Sequence, residues 1–236
     1  GPGTGGENNN GVYVTIWGKN FGATRGTGLI AVGGGQAASY QLWSDTKIIF
    51  QPGANAATGN ITVTTSNGAS NGLPFTVRAG AIYFVSLTGT GNGLSVSTPM
   101  SPSAAYAAMG PGKTFYFRAG TYNQNYSGGG VYGYTNYTLG QSRGGTQGLP
   151  MAMVGYPNET VVFRTPDSTR GNIRLDGNEA PANYVTIANF TMMGGADNIN
   201  GGGITVAYGE VANSGGLGLR VVGNIFSASY TWNTMT

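Results

Sequence analysis

The 236-residue sequence contains no cysteine and no histidine, and only 8% of its residues are charged. Without cysteine it has neither a disulfide framework nor a thiolate zinc site, and without histidine it has no Ser-His-Asp or Cys-His catalytic centre. Because charge is scarce, Ser, Thr, Asn, Gln and exposed backbone must keep the surface hydrated, as is typical of extracellular proteins. We therefore expect an extracellular or cell-surface location.

Charge and hydropathy exclude two further classes of partner. Lysine and arginine number 11 and acidic residues 8, and the basic residues are too scattered to neutralise several phosphates together. No apolar run approaches the length of a membrane-spanning helix. We expect no nucleic-acid partner and no membrane span.

Glycine is abundant, with 44 residues, and it follows no Gly-X-Y period. This composition excludes collagen and indicates many turns between short strands, so the fold class is all-β. Short apolar segments separated by Gly, Asn or Pro predict a β-sandwich in residues 1–79. Trp17 and Trp43 lie in these predicted strands, and we interpret them as core or inter-domain residues rather than as a sugar-binding platform.

The first 79 residues resemble a known family. The resemblance rests on four segments: Val12-Tyr-Val-Thr-Ile-Trp-Gly-Lys-Asn-Phe-Gly22, Ala31-Val-Gly-Gly34, Ser44-Asp-Thr-Lys-Ile48 and Asn71-Gly-Leu-Pro-Phe-Thr-Val77. Together they resemble an IPT/TIG domain. This resemblance implies an immunoglobulin-like β-sandwich.

From residue 80 the pattern changes. Ile82 to Ser86 is a predicted strand, and one short helix follows, with Ser101 as its cap, Pro102 in its first turn and Gly110 after its end. Further strands without intervening helices are predicted at Thr114–Arg118, Met151–Gly155, Val161–Arg164, Ile173–Leu175, Tyr184–Phe190, Ile204–Val206 and Leu219–Phe226. Such a series is typical of the coils of a β-solenoid.

Two segments carry a second resemblance: Pro111-Gly-Lys-Thr-Phe-Tyr-Phe-Arg-Ala-Gly-Thr-Tyr122 and Val154-Gly-Tyr-Pro-Asn-Glu-Thr-Val-Val-Phe163. With the preceding strand and helix, they resemble the start of right-handed parallel β-helix proteins of the pectate-lyase-like kind. The resemblance implies that residues 80–236 form such a β-helix, that the helix caps its first coil through Tyr106 and Met109, and that further coils follow Thr236.

The second resemblance implies a catalytic chemistry. Members that cleave acidic polysaccharides abstract a proton with Lys or Arg, often beside Ca²⁺ held by Asp. On this basis Arg174, Asp176 and Arg220 are the candidate catalytic residues. An arginine is nearly always protonated and so makes a poor base, and solvated turn charges are the alternative interpretation of these residues. We predict no metal site and no cofactor, with Ca²⁺ as the one alternative.

Four tyrosines are candidate ligand-binding residues: Tyr126, Tyr132, Tyr134 and Tyr137. They lie in a Gly/Ser/Asn-rich insertion, and aromatic faces with hydroxyl and amide groups suit the surface of a sugar. Two alternatives remain open, namely that the rings cover the flank of the solenoid or that they contact another subunit.

Two functional hypotheses follow. The first is a secreted or cell-surface carbohydrate-binding or polysaccharide-active protein that resembles β-helix lyases and whose residues 1–236 are non-catalytic. The second is an extracellular structural or adhesive protein, such as a filament subunit, an adhesin or a virion fibre, that uses the β-helix as a rigid rod. The expected partners are a polysaccharide or glycan in the first case, and homo-oligomeric or filament contacts in the second.

Overall fold

The structure is a computed structural model that describes residues 3–127, 135–164, 171–175, 182–194, 203–206 and 217–227. The chain divides into two compact units, Gly1–Ile82 and Tyr83–Thr236. Each unit has its own cluster of buried apolar side chains. The regular elements of the described residues are β-strands apart from one α-helix and two short 3₁₀ turns, so the predicted all-β fold class is confirmed.

The amino-terminal unit contains seven antiparallel strands after a short 3₁₀ turn at Glu7–Asn9. The strands are β1 Val14–Trp17, β2 Leu29–Val32, β3 Gly35–Trp43, β4 Lys47–Pro52, β5 Gly59–Thr65, β6 Gly68–Ala69 and β7 Leu73–Phe75.

Strand β3 joins the two halves of this unit. Its first residues pair with β2, whereas the rest pairs with β4 across two register shifts, and such bulges bend a strand. The halves β1-β4-β3 and β2-β5-β6, with β7 beside β5, therefore face each other. Alternate residues of both halves point inward and are buried, among them Ile30, Ile48, Phe50 and Val63. The predicted β-sandwich is confirmed.

The second unit is a solenoid of short strands with one helix at its start and a 3₁₀ turn at Gln141–Arg143; its first strand, β8, begins two residues before the boundary between the units. The elements are β8 Ala81–Val85, α1 Pro102–Ala108, β9 Lys113–Phe117, β10 Gly120–Tyr122, β11 Tyr137–Leu139, β12 Met151–Gly155, β13 Val161–Arg164, β14 Ile173–Leu175, β15 Val185–Ala188, β16 Thr191–Met193, β17 Ile204–Val206, β18 Arg220–Val222 and β19 Ile225–Ser227.

These strands form three sheets, in the orders β8-β9-β12-β15-β18, β10-β13-β16-β19 and β11-β14-β17. From β9 onward, each coil contributes one strand to each sheet, and every strand pairs in parallel with its counterpart in the next coil. Three complete coils are described, together with two strands of a fourth. This arrangement is a parallel β-helix.

The structure departs from two of the predicted strands. The segment Tyr184–Phe190 contains only β15, and β16 begins beyond it at Thr191, after a break at Asn189. The segment Leu219–Phe226 is divided at Gly223 between β18 and β19. Asn189 and Gly223 have φ values of 61° and 64°, in the left-handed region that Gly and Asn tolerate best. A strand cannot continue through that conformation, so the chain turns from one sheet to the next.

The helix α1 covers the interior of the first coil. Ser101 Oγ accepts a hydrogen bond from Ala104 N at 3.2 Å and caps the helix, as predicted. Met109 is buried and Tyr106 packs beside it, in agreement with the expected cap. At the carboxyl end, Lys113 Nζ donates to Ala108 O and Arg143 donates to Ala107 O, both at 2.7 Å. These cations offset the partial negative charge of the last carbonyls.

The solenoid interior is filled by aromatic rings in edge-to-face and tilted contacts. Phe163 is fully buried, and its ring centroid lies 4.7 Å from that of Phe190, 5.4 Å from Tyr122 and 5.5 Å from Phe117. Such contacts add to the free energy gained by burying the rings. The interior is therefore a packed core and contains no channel along these residues.

Two buried asparagines connect successive coils beside this core. Asn136 Nδ2 donates to the carbonyls of Tyr122 and Arg164, both at 2.9 Å. Asn172, one coil later, donates to Asn136 Oδ1 at 3.3 Å. Backbone groups at the bends, where ladder pairing stops, thereby gain hydrogen-bond partners.

Candidate functional site

The predicted catalytic residues do not share one surface in the described structure. Arg174 lies at the centre of β14, whereas Arg220 begins β18, and these strands belong to different sheets and different coils. Asp176 lies outside the described residues. The structure thus gives each arginine its own surroundings rather than a common centre.

Arg174 lies in a column of polar residues on the outside of the third sheet. Its register partners are Thr138 in the preceding coil and Thr205 in the following one. Its chain neighbours Ile173 and Leu175 are fully buried, so strand alternation directs Arg174 outward. We call Thr138, Arg174 and Thr205 the Thr-Arg-Thr column.

Arg220 is exposed and continues the column of Thr186 on the first sheet. Neither this column nor the Thr-Arg-Thr column places a carboxylate directly beside the arginine in the described register. A guanidinium presents five N–H donors and no acceptor atom, so neither arginine offers an acceptor for a proton. Both are suited to donate hydrogen bonds to an anion.

Two of the four candidate tyrosines lie in the core rather than in an exposed loop. Tyr137 is fully buried, and its hydroxyl donates to Pro102 O at 3.1 Å. Tyr126 is 6% exposed, with its ring centroid 5.5 Å from that of Tyr137. Neither ring presents a face to a ligand in solution, because other side chains of the core already occupy that space. Tyr132 and Tyr134 lie outside the described residues.

Burial also decides the protonation of these tyrosines. Desolvation raises the pKa of Tyr137 well above its ordinary value, and the neighbouring hydroxyls Tyr122 and Tyr126 raise it further. Desolvation likewise raises the pKa of Tyr122 and of Tyr126. All three therefore stay neutral at physiological pH and cannot serve as phenolate bases there.

An ion pair missed by sequence reasoning joins the first two coils. Arg118 binds Glu159 through two nitrogens, and Ala119 N donates to Glu159 Oε2 at 2.6 Å. Burial alone would raise the pKa of Glu159, but the hydrogen bonds from Arg118 and Ala119 and the charge of Arg118 outweigh burial, so the pKa lies below its ordinary value. The Arg118 guanidinium also lies 4.6 Å from the centroid of the Tyr156 ring. Glu159 is thus an ionised structural group rather than a proton donor.

The amino-terminal unit carries an exposed aromatic surface. Trp17 is 69% exposed at the end of β1, and Lys47 Nζ lies 4.8 Å above its ring. The register sets Trp17 opposite Lys47 and Thr15 opposite Ile49, and Ile49 in turn opposite Leu42. We call the outer side of β1-β4-β3 the Trp17 face; its residues are Thr15, Trp17, Leu42, Lys47, Ile49 and Gln51.

Comparison with known proteins agrees with the architecture of this unit. Residues 2–77 match the family model of the IPT/TIG domain. The amino-terminal unit is an IPT/TIG domain. The outer surface just described therefore belongs to one β-sheet layer of that domain.

One solved structure is similar to part of the chain. It is the crystal structure of pectate lyase Pel9A, which matches at 25% sequence identity with a TM-score of 0.37, over 49% of this chain and 29% of that chain. The matched region thus spans less than a third of the length of that protein. Among curated proteins, no sequence matches this chain.

The two tryptophans of the IPT/TIG domain, Trp17 and Trp43, differ in their exposure. Trp43 packs against the sandwich core, and its Nε1 donates to Phe21 O at 3.0 Å, as expected of a core residue. Trp17 was expected to be buried in the core or between domains, and this expectation is wrong because its side chain faces solvent. The signal was present in the sequence, since Trp17 alternates with Ile16 and strand alternation places these two residues on opposite sides.

The described ranges contain no group of three or more His, Cys, Asp or Glu residues placed to hold a metal ion. Over the same ranges, no helix has the length and apolar character needed to cross a membrane.

Proposed function

We propose that this chain is a polysaccharide-binding protein of the extracellular space or the cell surface. In this proposal the solenoid holds a polymer with acidic sugars along the outside of the sheet β11-β14-β17. The observation that carries the proposal is the Thr-Arg-Thr column, which aligns Thr138, Arg174 and Thr205 on three successive coils.

The geometry of the column suits an extended polymer. Parallel strands repeat at about 4.8 Å, which is close to the length of one sugar residue. Successive coils can therefore contact successive sugars of a polysaccharide chain. Threonine hydroxyls both donate and accept hydrogen bonds, as sugar hydroxyls do. The column therefore complements a sugar chain that runs along the solenoid axis.

Arg174 gives this surface its preference for acidic sugars. A guanidinium binds a carboxylate through two parallel hydrogen bonds, which makes the interaction both strong and directional. Arg174 also takes part in an interaction within the protein. Since a guanidinium has five N–H donors, it binds more than one acceptor.

The proposed activity is binding without cleavage. Proton abstraction beside a uronate needs a base whose pKa lies near the working pH. Arg174 and Arg220 present N–H donors and no acceptor atom for a proton. Glu159, the one carboxylate among the described residues of the solenoid, is bound by Arg118. These observations support a binding role for residues 1–236.

Isothermal titration of the full chain with polygalacturonate tests this proposal. We expect saturable binding that weakens with salt, a loss of affinity of about tenfold in Arg174→Ala, and a smaller loss in Arg174→Lys, which keeps the charge without the planar fork. Arg164→Ala is the matched control, because Arg164 is an exposed arginine on another sheet. Unchanged affinity in Arg174→Ala, or release of unsaturated sugars by the wild type, would contradict the proposal.

A further inference from the structure

The Trp17 face belongs to the amino-terminal unit and differs in chemistry from the Thr-Arg-Thr column. Tryptophan has the largest apolar side chain, and leaving it 69% exposed gives up most of the free energy that its burial would release. Trp43, in the same domain, packs against the core. The exposure of Trp17 is therefore specific to this position rather than general for tryptophan in the domain.

The ring of Trp17 is held in place before any ligand arrives. Its backbone is fixed by the register of β1 with β4, which sets it opposite Lys47. The ammonium of Lys47 lies 4.8 Å from the ring centroid, within the range of a cation–π contact. A ring that is already oriented loses little conformational entropy on binding.

Polar side chains continue the surface away from the ring. Rows along β1 and β4 are two residues, or about 7 Å, apart, so the rows of Trp17, Thr15 and Gln51 offer contacts to two or three successive sugars. Gln51 Oε1 accepts from Ser39 Oγ at 3.2 Å, and Gln41 Nε2 donates to Tyr13 Oη, also at 3.2 Å. These pairs orient amide and hydroxyl groups at the far end of the surface.

The apolar part of this surface is small. Beyond the ring of Trp17 it consists of Leu42, which is 38% exposed, and the half-buried Ile49. The centre of a protein interface needs a wider apolar patch that excludes water. One aromatic ring bordered by amides and hydroxyls instead matches a sugar, whose C–H face stacks on the ring while its hydroxyls bond to the border.

Charge defines the class of sugar. Residues 1–82 contain four basic and two acidic side chains, namely Lys19, Arg25, Lys47 and Arg78 against Glu7 and Asp45. Lys47 lies beside the ring itself, and one carboxylate oxygen of Asp45 accepts a hydrogen bond from Gly22 N. The Lys47 ammonium lies over one face of the indole, so a sugar stacks on the opposite face, and its carboxylate substituent has to extend past the edge of the ring to meet Lys47. The face thus complements an anionic sugar better than a neutral one.

We propose that the Trp17 face of the IPT/TIG domain is a binding site for a short stretch of uronate-containing glycan, with Trp17 as the stacking residue and Lys47 as the carboxylate-binding residue. This site does not depend on the Thr-Arg-Thr column. It deepens the proposed function only by adding a second point of attachment on the same class of polymer.

Tryptophan fluorescence and isothermal titration of the full chain test this site. The probes are polygalacturonate, alginate and hyaluronan, with dextran as the neutral polymer and methyl-esterified polygalacturonate as the chain without free carboxylates. To remove the solenoid contribution, each variant of the Trp17 face is also made in the Arg174→Ala background. We expect at least one uronate polymer to shift the emission of Trp17, and Trp17→Phe to abolish that shift.

The variants separate the two roles in the site. Trp17→Ala is expected to lower affinity about tenfold in both backgrounds, because the stacking ring is lost. Lys47→Gln is expected to keep binding of the methyl ester and to remove the preference for the free acid. Leu73→Ala, an exposed leucine on β7, is the matched control and should bind as the parent does.

Three outcomes would overturn the inference. They are the absence of binding by every uronate polymer in the Arg174→Ala background, equal affinity of Trp17→Ala and the parent, and equal preference for the free acid in Lys47→Gln and the parent. A loss of affinity in Arg174→Ala alone, with no effect of Trp17→Ala, would support the solenoid proposal and reject this site. Thermal melts confirm that each variant is folded, which is expected because Trp17 faces solvent.

Discussion

Replacing Asn172 with alanine should destabilise the solenoid more than any exposed asparagine does. Asn172 is fully buried. Its Nδ2 donates to Asn136 Oδ1 at 3.3 Å and to Met193 O at 3.0 Å, and its Oδ1 accepts from Gly203 N at 2.7 Å. The side chain therefore ties the second coil to the first and to the third.

The magnitude follows from these three hydrogen bonds. Each contributes about 1 kcal/mol net, and a buried partner left without a bond costs more, so Asn172→Ala should lower the free energy of unfolding by roughly 3 kcal/mol. For a unit of this size, that loss corresponds to a fall in melting temperature of roughly 6–12 °C. The m-value should stay the same, because the coils still form the same buried surface.

Urea unfolding followed by circular dichroism, together with calorimetry, measures this loss. Asn123→Ala is the control, because Asn123 is exposed in the first coil and should change stability by less than about 0.5 kcal/mol. If Asn172→Ala and Asn123→Ala melt within about 2 °C of each other, the buried asparagine contacts do not connect the coils as described.

Three further variants test other parts of the structure. Glu159→Gln should weaken the dependence of stability on acid pH. The pKa of Glu159 is lowered, so its pairing stabilises the fold above the ordinary carboxyl pKa of 4.5, and this stabilisation is lost as the pH falls through the lowered pKa. Melting temperatures recorded against pH should therefore fall less steeply in acid for Glu159→Gln than for the parent. Ser101→Ala removes the helix cap and should cost about 1 kcal/mol in urea unfolding; no loss would contradict the cap. Gly223→Ala should lower the free energy of unfolding by about 1 kcal/mol, because φ is 64° and the new Cβ would lie 2.8 Å from Asn189 Oδ1. Gly110→Ala is its control and should not destabilise the protein, because a Cβ at Gly110 meets no atom within 4 Å.

Features carried by local patterns could be predicted from the sequence. Ser101 and Pro102 marked the start of α1, and the apolar segments Met151–Gly155 and Ile173–Leu175 became strands at those bounds. Their signals are local because capping and strand alternation depend on residues a few positions apart. Both resemblances rested on such segments, which is why the sandwich and the solenoid were found.

Features that depend on distant residues were missed. The strand β16 was not predicted, because the predicted strand ends at Phe190 and the short segment Thr191–Met193 becomes a strand only through its pairing with β13 and β19. Arg118 and Glu159 are 41 residues apart, which is one full coil, so only the coil register brings them together. The burial of Tyr126 and Tyr137 likewise depends on the rings of other coils. Composition suggested an exposed tyrosine surface, whereas packing places these two rings inside.

In the candidate sites, too, local patterns could be predicted from the sequence, whereas contacts between distant residues could not. Arg174 was chosen for its charge, but the threonines beside it became evident only from the register of β11, β14 and β17. Trp17 was assigned to the interior, although its alternation with Ile16 already indicated an exposed position. A bulky aromatic residue in a strand is usually buried, and here that general tendency prevailed over the local pattern.

The central claim is that this chain binds an acidic polysaccharide without cleaving it. The most direct measurement is a titration of the full chain with polygalacturonate in which heat and ultraviolet absorbance are recorded on the same samples. The account predicts saturable heat that falls as salt rises, with no growth in absorbance from unsaturated sugars. Absence of binding at low salt, or steady growth of that absorbance, would contradict it.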